Sequence, residues 1–355
     1  MTIAAGTFTL ADYALYSNQP KVRAVAMSLI DYGNIARDIP MVTKQTLIQS
    51  GVRFEGNVPS INWAPLNSEP VTVHSQPTPF QEQVYLMRNS VDVDKYIVMD
   101  QNQITDPRSS QTKMVLKALT YDFNLKFLKN DHLTGDANAP VGLRFRIDDA
   151  ASQNRYGVRP ENKILAASGG LDLTQATLVT TPSNGNRLIE LLNQLLWSVD
   201  STTGVGVVLY MNDFLQRRMG FALRALGTSG GLTTVKDQFD RDFEMYKGAV
   251  IRDPGVKADQ STRILAGNGL SGASAVGELV DGTDGTGTSA TFASIYAVNY
   301  GTDHLMGWQM TDGPDVNDLG LINNGSIYRT VIDWAVGLIN QSTRSVGRLY
   351  GLKLA

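Results

Sequence analysis

The sequence predicts an α+β protein, and three observations carry that reading. A helix with start and stop signals spans about residues 106–130, and short strands and helices alternate beyond Gly142. A proline-rich, aromatic-bearing stretch between residues 51 and 90 fits neither element. The 355 residues suffice for one large domain or two modest ones. With 42% hydrophobic and 18% charged residues, the composition is globular with a thin charged surface, as in a protein that hides its exterior against neighbours. The formal net charge of −3 removes the overall basic excess of a dedicated nucleic-acid binder. The absence of cysteine removes disulfides, thiolate chemistry and cysteine-ligated metals. No apolar run is long enough to span a membrane. Residues 1–16 contain Asp12 and no Lys or Arg, which is not the pattern of a secretory signal. No repeat recurs at a fixed period.

Residues 1–50 read as an arm with short helices. Pro20 suits a first helical position, and Val22, Val25, Ala26, Leu29 and Ile30 fall on one face, either of an ordinary packed helix or of an arm docked on a neighbour. The next stretch holds Pro59, Pro65, Pro70, Pro77 and Pro79 among Phe54, Ile61, Trp63, Leu66 and Phe80. Proline denies it a central strand or a helix, and it is too long for a plain connector. Its aromatics argue against disorder, so it is expected to be an ordered loop in need of a partner surface. Val91–Val98 alternates and then turns apolar, which predicts a strand. The long helix follows, capped by Thr105 or Asp106 with Pro107 at its first position. Its expected stripe is Met114, Ala118, Tyr121, Leu125 and Leu128, widened by Phe123 and Phe127. At 1.5 Å per residue it spans roughly 35 Å, the size of a scaffold element.

Beyond it, Pro182–Trp197 reads as a helix buried through Leu188, Ile189, Leu192, Leu195 and Leu196. Val205–Tyr210 reads as a buried strand and Asp213–Leu226 as a helix with outward arginines. Tyr246–Arg252, Arg263–Ala266, Ser294–Tyr300 and Ile327–Leu338 read as strands, the last as one strand or a pair. Residues 267–290, rich in Gly, Ser, Thr and Ala, read as a flexible loop. Between Gly272 and Gly320 lie seven acidic residues and no Lys or Arg, which predicts a solvent-facing segment.

The motifs that look chemical lack their context. Gly267-Asn-Gly-Leu-Ser-Gly272 matches a dinucleotide fingerprint, but no adequate helix follows to receive a pyrophosphate. Gly227-Thr-Ser-Gly-Gly231 matches a nucleophile elbow, yet it follows a helix where the motif needs a strand. His74, His132 and His304 are far apart, without the spacing of a zinc-binding helix. Asp148-Asp149 reads as a charged turn. No catalytic group, metal site or cofactor is expected, and a soluble α/β nucleotide-binding enzyme using the glycine loop is a less favoured alternative.

The ordered set of elements resembles the major capsid proteins of tailed bacteriophages with the Hong Kong 97 fold. The resemblance rests on Thr9–Tyr13, Val91–Val98, Gln111–Asn130, Val208–Asn212 before an Arg-rich helix, Ser294–Gly301, Asp318-Leu-Gly, and the tail Tyr328–Leu352 with Asp333-Trp-Ala-Val-Gly-Leu. It spans nearly the whole chain, and no single motif is diagnostic. It implies an amino-terminal arm (1–45), an extended loop (46–95), a peripheral domain with a spine helix (96–164), an axial domain (165–320) and a return to the peripheral domain (321–355).

The resemblance further implies self-assembly as hexamers and pentamers into an icosahedral head shell around double-stranded DNA, built in the host cytoplasm. Partners would be separate scaffolding, portal and decoration proteins, with no membrane. Phe54, Trp63 and Phe80 are the candidate inter-subunit anchors, aromatics being enriched at interfaces; the alternative is packing onto their own domain. Lys21, Arg23, Arg37 and Lys44, with Lys113, Lys117, Lys126 and Lys129 on the spine, are candidates for unspecific DNA phosphate neutralisation or simply a solvated face. No lysine lies between Lys44 and Lys95, so the loop-lysine crosslink of some relatives is not expected. With Met1 only a few residues before the arm, scaffolding is expected to be a separate protein. The alternatives are an encapsulin-like compartment shell and, against the chain length and the long helix, a tail-tube or decoration protein.

Overall fold

The computed structural model describes residues 34–53, 59–74, 77–100, 106–132, 136–167, 170–201, 206–225, 232–236, 242–260, 263–265, 292–311, 313–322 and 325–354. The proposed helix after Pro20, Lys21, Arg23, Phe54, both glycine motifs and the Gly-rich loop 267–290 lie outside the described residues.

Two mixed sheets meet across the long helix. In the first, β14 (Ile327–Asn340) is the centre: β4 (Tyr85–Asp94) runs antiparallel along one edge, and β12 (Leu305–Gln309) and β13 (Asp315–Ile322) share the other. β1 (Met41–Thr43) adds to β12 in parallel. The second sheet has the order β5-β15-β11-β7-β10-β9-β8, with β6 also on β15. Its strands are β5 (Lys163–Leu165), β6 (Leu171–Asp172), β7 (Val207–Tyr210), β8 (Leu232–Lys236), β9 (Asp242–Tyr246), β10 (Ala249–Arg252), β11 (Phe292–Asn299) and β15 (Val346–Lys353).

The second sheet is buried on both faces, which explains its near-continuous apolar runs. In β7, Val207 and Leu209 face the helices Ser183–Ser198 and Asp213–Ala225, whereas Val208 and Tyr210 face the long helix. Strand β11 alternates likewise: Ile295 and Ala297 one way, Tyr296 and Val298 the other. This overturns the solvent-facing expectation for residues 293–299 and 305–309, which form two buried strands; the acidic residues Asp303, Asp315 and Asp318 are exposed as expected.

The long helix, Pro107–Lys129, has its anticipated ends: the Asp106 carboxylate accepts from the Arg108 N–H, and the Asn130 N–H reaches the Lys126 carbonyl. Its buried face is Leu116, Leu119, Thr120, Phe123, Asn124, Phe127 and Leu128. Met114, expected inside, is exposed. Phe123 packs on Trp334 of β14 with ring centroids 5.0 Å apart, and Phe127 meets Tyr210 of β7 edge-on at 6.4 Å. The helix therefore ties the two sheets into one core.

Several expected boundaries shift. The strand foreseen over residues 91–98 ends at Asp94, whose carboxylate caps a short helix, Lys95–Met99. Tyr246–Arg252 is a hairpin of β9 and β10, and Arg263 makes only an isolated bridge with Val256. The expected arm reaches too far: Ile35, Ala36, Ile39 and Met41 are buried in the chain's own core. The expected return of residues 321–355 divides, because β14 joins β4 while β15 lies between β5 and β11 of the other sheet. Conversely, β12 and β13 leave the 165–320 segment for the sheet of β14.

Candidate assembly surface

The proline-rich stretch is a projecting hairpin. Strands β2 (Ile48–Arg53) and β3 (Thr78–Gln83) pair antiparallel from Ile48 opposite Gln83 to Arg53 opposite Thr78, and join neither large sheet. Beyond them the chain reverses at Pro65–Ser68, where the Ser68 N–H donates to the Pro65 carbonyl at 3.3 Å. Asn67 has φ +70°, the left-handed conformation that Asn tolerates at the third position of a type II turn. Around this turn Trp63 is 100% exposed, Leu66 97% and Ile61 84%, with Val71 and Val73 also exposed. Isolated exposed apolar side chains are ordinary; a cluster on one projection marks an interaction surface.

The hairpin root is the opposite in character. Glu82 of β3 and Arg146 of the helix Leu143–Asp148 form a two-pronged ion pair at 2.9 and 2.7 Å, with side chains 4% and 2% exposed. Burial disfavours the Arg146 charge, but Glu82 more than offsets it and holds the guanidinium above its ordinary pKa. Glu82 also accepts from the Asn340 N–H at 3.1 Å. Arg53 of β2, itself buried, donates to the Asn340 carbonyl at 3.0 and 2.7 Å and lies 4.1 Å over the Phe80 ring. None of these three charged residues was foreseen as special. Glu82 and Arg146 stand 64 positions apart, and no local pattern announces such a pair.

The anticipated anchors thus part company. Trp63 is fully presented, whereas Phe80 is only 7% exposed and packs with Trp308, Met306 and Ile339 of its own chain. Phe80 is corrected from anchor to root: alternation in β3 turns it inward beside Glu82. Among the basic candidates, Lys44 is exposed, but Arg37 is buried beside Asp38 at 3.7 Å and offers no charge to a phosphate. On the spine, Lys113 is exposed, and Lys126 is engaged by Asp136 at 3.3 Å.

Two other sequence candidates have structural partners. Asp148 gathers Arg144, Lys163 and the buried Arg348, and Asp149 caps the helix Ala150–Tyr156 through the Ser152 N–H, so the expected charged turn is a junction of two helices held by ion pairs. His132 packs edge-on against Tyr85. Among the described residues no group of three or more acidic or histidine side chains is placed to hold a metal.

No family model and no curated protein matches the sequence. Solved structures do match along nearly the whole chain. The holo-SrpI encapsulin complex from Synechococcus elongatus PCC 7942 aligns at TM-score 0.56 and 11% identity, covering 98% of this chain and 96% of that one. The capsid of a native GTA particle aligns at TM-score 0.53 and 10% identity, covering 92% and 90%. The capsid of Myoviridae phage XM1 aligns at 0.52 and 12% identity, covering 88% and 90%. The chain therefore has the Hong Kong 97 fold, in the α+β form that its elements foretold.

Proposed function

We propose that this chain is a shell-forming structural subunit, the major capsid protein of a tailed-phage-type particle. The observation that carries the proposal is the projecting hairpin, with Ile61, Trp63 and Leu66 exposed at its far end and its root sunk in the body. Among the described residues no apolar surface of the same chain covers these side chains. A second copy offers exposed Tyr96, Ile97 and Met99 on the helix Lys95–Met99 and Met114 on the long helix. In this reading the sheet of β14 with the long helix is the peripheral part of the subunit, and the sheet of β7, β11 and β15 is the axial part. Hexamers and pentamers of the one chain close the shell, DNA is held unspecifically with Lys44 among the contacts, and scaffolding, portal and decoration proteins are separate chains. No catalytic role is assigned.

The test is Trp63→Ala. The variant should fold with unchanged circular dichroism and thermal midpoint but fail to give closed particles in negative-stain electron microscopy. Wild-type particle yield would overturn the anchor role of Trp63. A second reading, an encapsulin-type compartment, is supported by the full-length match to the Synechococcus shell. Particle contents separate the two, DNA for the capsid and a protein cargo for the compartment.

A further inference from the structure

We infer that Arg53 and Glu82 are positioning residues, a buried ionic latch that fixes the direction in which the hairpin leaves the body. The inference rests on the shell reading for its purpose but not for its geometry. The two hairpin strands form a separate two-stranded ribbon, and such a ribbon has marginal stability alone. Its direction must therefore be imposed from the body. Each strand contributes one buried charge for this: Glu82 reaches Arg146 on one side, and Arg53 reaches the Asn340 carbonyl at the end of β14 on the other. Asn340 joins the halves, since its N–H meets Glu82 and its side-chain amide donates to the Tyr156 carbonyl at 2.8 Å.

The body is shaped to receive both prongs. Gly157, at φ +67°, lies so close to the Arg53 guanidinium that a Cβ there would come within 2.7 Å of it. Gly337 of β14 admits the Gln83 carbonyl, which a Cβ would meet at 2.8 Å. Phe80, packed on Trp308, Met306 and Ile339, gives the root adhesion, and the buried charges add direction. The bidentate Glu82–Arg146 pair and the twofold donation of Arg53 to one carbonyl are satisfied together in one geometry only, and any other leaves a buried charged group without its partner. The latch thus holds the hairpin extended before a neighbour arrives, which lowers the ordering cost of association.

The chain lacks cysteine, so Leu66→Cys and Lys113→Cys can be spin-labelled uniquely, one near the hairpin tip and one on the long helix. Pulsed electron paramagnetic resonance on the full chain, diluted below assembly, should give one narrow distance distribution. Adding Glu82→Gln should broaden or split it, and should raise hydrogen exchange of the β2 and β3 amides about tenfold or more while β15 exchanges as before. Should that variant not fold, Arg53→Lys removes the paired donation to Asn340 while keeping the charge, and the same broadening is expected. An unchanged distance distribution in the latch variant would overturn the inference. The readout needs no shell. A wild-type chain that forms no particles yet shows latch-dependent width sinks the shell reading alone; particles with an unaltered width in Glu82→Gln sink the latch alone.

Discussion

At the scale of single residues, charges in this chain mostly serve geometry. Asp253 is an example with a measurable consequence. It accepts from the Gly255 N–H at 2.9 Å, and Arg263 bridges it, at 3.1 Å, to Asp213 at 2.6 Å. Burial raises its pKa above the ordinary 3.8; the Gly255 N–H and Arg263 oppose the shift, and the Asp213 charge adds to it. The sign follows from linkage. Between the ordinary and the raised value, the folded state binds the proton that the unfolded state has released, so stability falls as pH rises through that window. Asp253→Asn keeps the acceptor for Gly255 and abolishes the titration. Urea denaturation from about pH 4 to 7 should show the stability of wild type relative to the variant declining as pH increases. A difference that stays flat or grows with pH would refute the assignment.

At the scale of elements, the long helix shows what a sequence reveals and what it conceals. Its ends were legible because capping is local: Asp106 before Pro107 is a start signal whatever surrounds it. Its buried face was not, because polar and apolar residues are intermixed around the helix and its core side includes Thr120 and Asn124. Inside, the Thr120 hydroxyl donates to the Leu116 carbonyl at 2.9 Å and the Asn124 amide N–H to the Pro254 carbonyl at 3.4 Å. Apolar spacing therefore points to Met114, whereas the core side carries Leu116 and Leu119. The same contrast holds for the hairpin: proline and aromatics marked it as an excursion, but only tertiary pairing shows Phe80 at the root and Trp63 at the tip. The helix face is open to test. Phe127→Ala should cost about 3–5 kcal/mol, because its ring is enclosed between both sheets. Met114→Ala should stay within about 0.5 kcal/mol. Equal effects in chemical denaturation would show that the face is assigned wrongly.

At the scale of the whole molecule, the core and the contact surface are built as separable parts. Ile61, Trp63, Leu66, Val71 and Val73 are all exposed, so these side chains lie outside the core of the lone subunit. Full burial of these five side chains on a neighbour would gain at most about 8–15 kcal/mol at 1.5–3 kcal/mol each, since Val71 and Val73 are already partly covered. Rigid-body association costs about 4–15 kcal/mol, so one hairpin contact is close to break-even and many are needed together. A pair of subunits should then dissociate readily, letting misplaced copies leave, while a closed ring or shell persists. This separation yields a sharp test: replace residues 54–77 by Asn-Gly, a turn suited to joining two paired strands, between Arg53 and Thr78. The latch residues Arg53 and Glu82 remain, so the shortened chain should melt within a few degrees of the wild type. It should elute as a monomer at concentrations where the wild type assembles, and electron microscopy should find no particles. Particles at wild-type yield would mean that the contacts lie elsewhere on the subunit. A collapse of the melting temperature would mean that the hairpin belongs to the core after all, and that exposed Trp63 is not the end of a grasping arm.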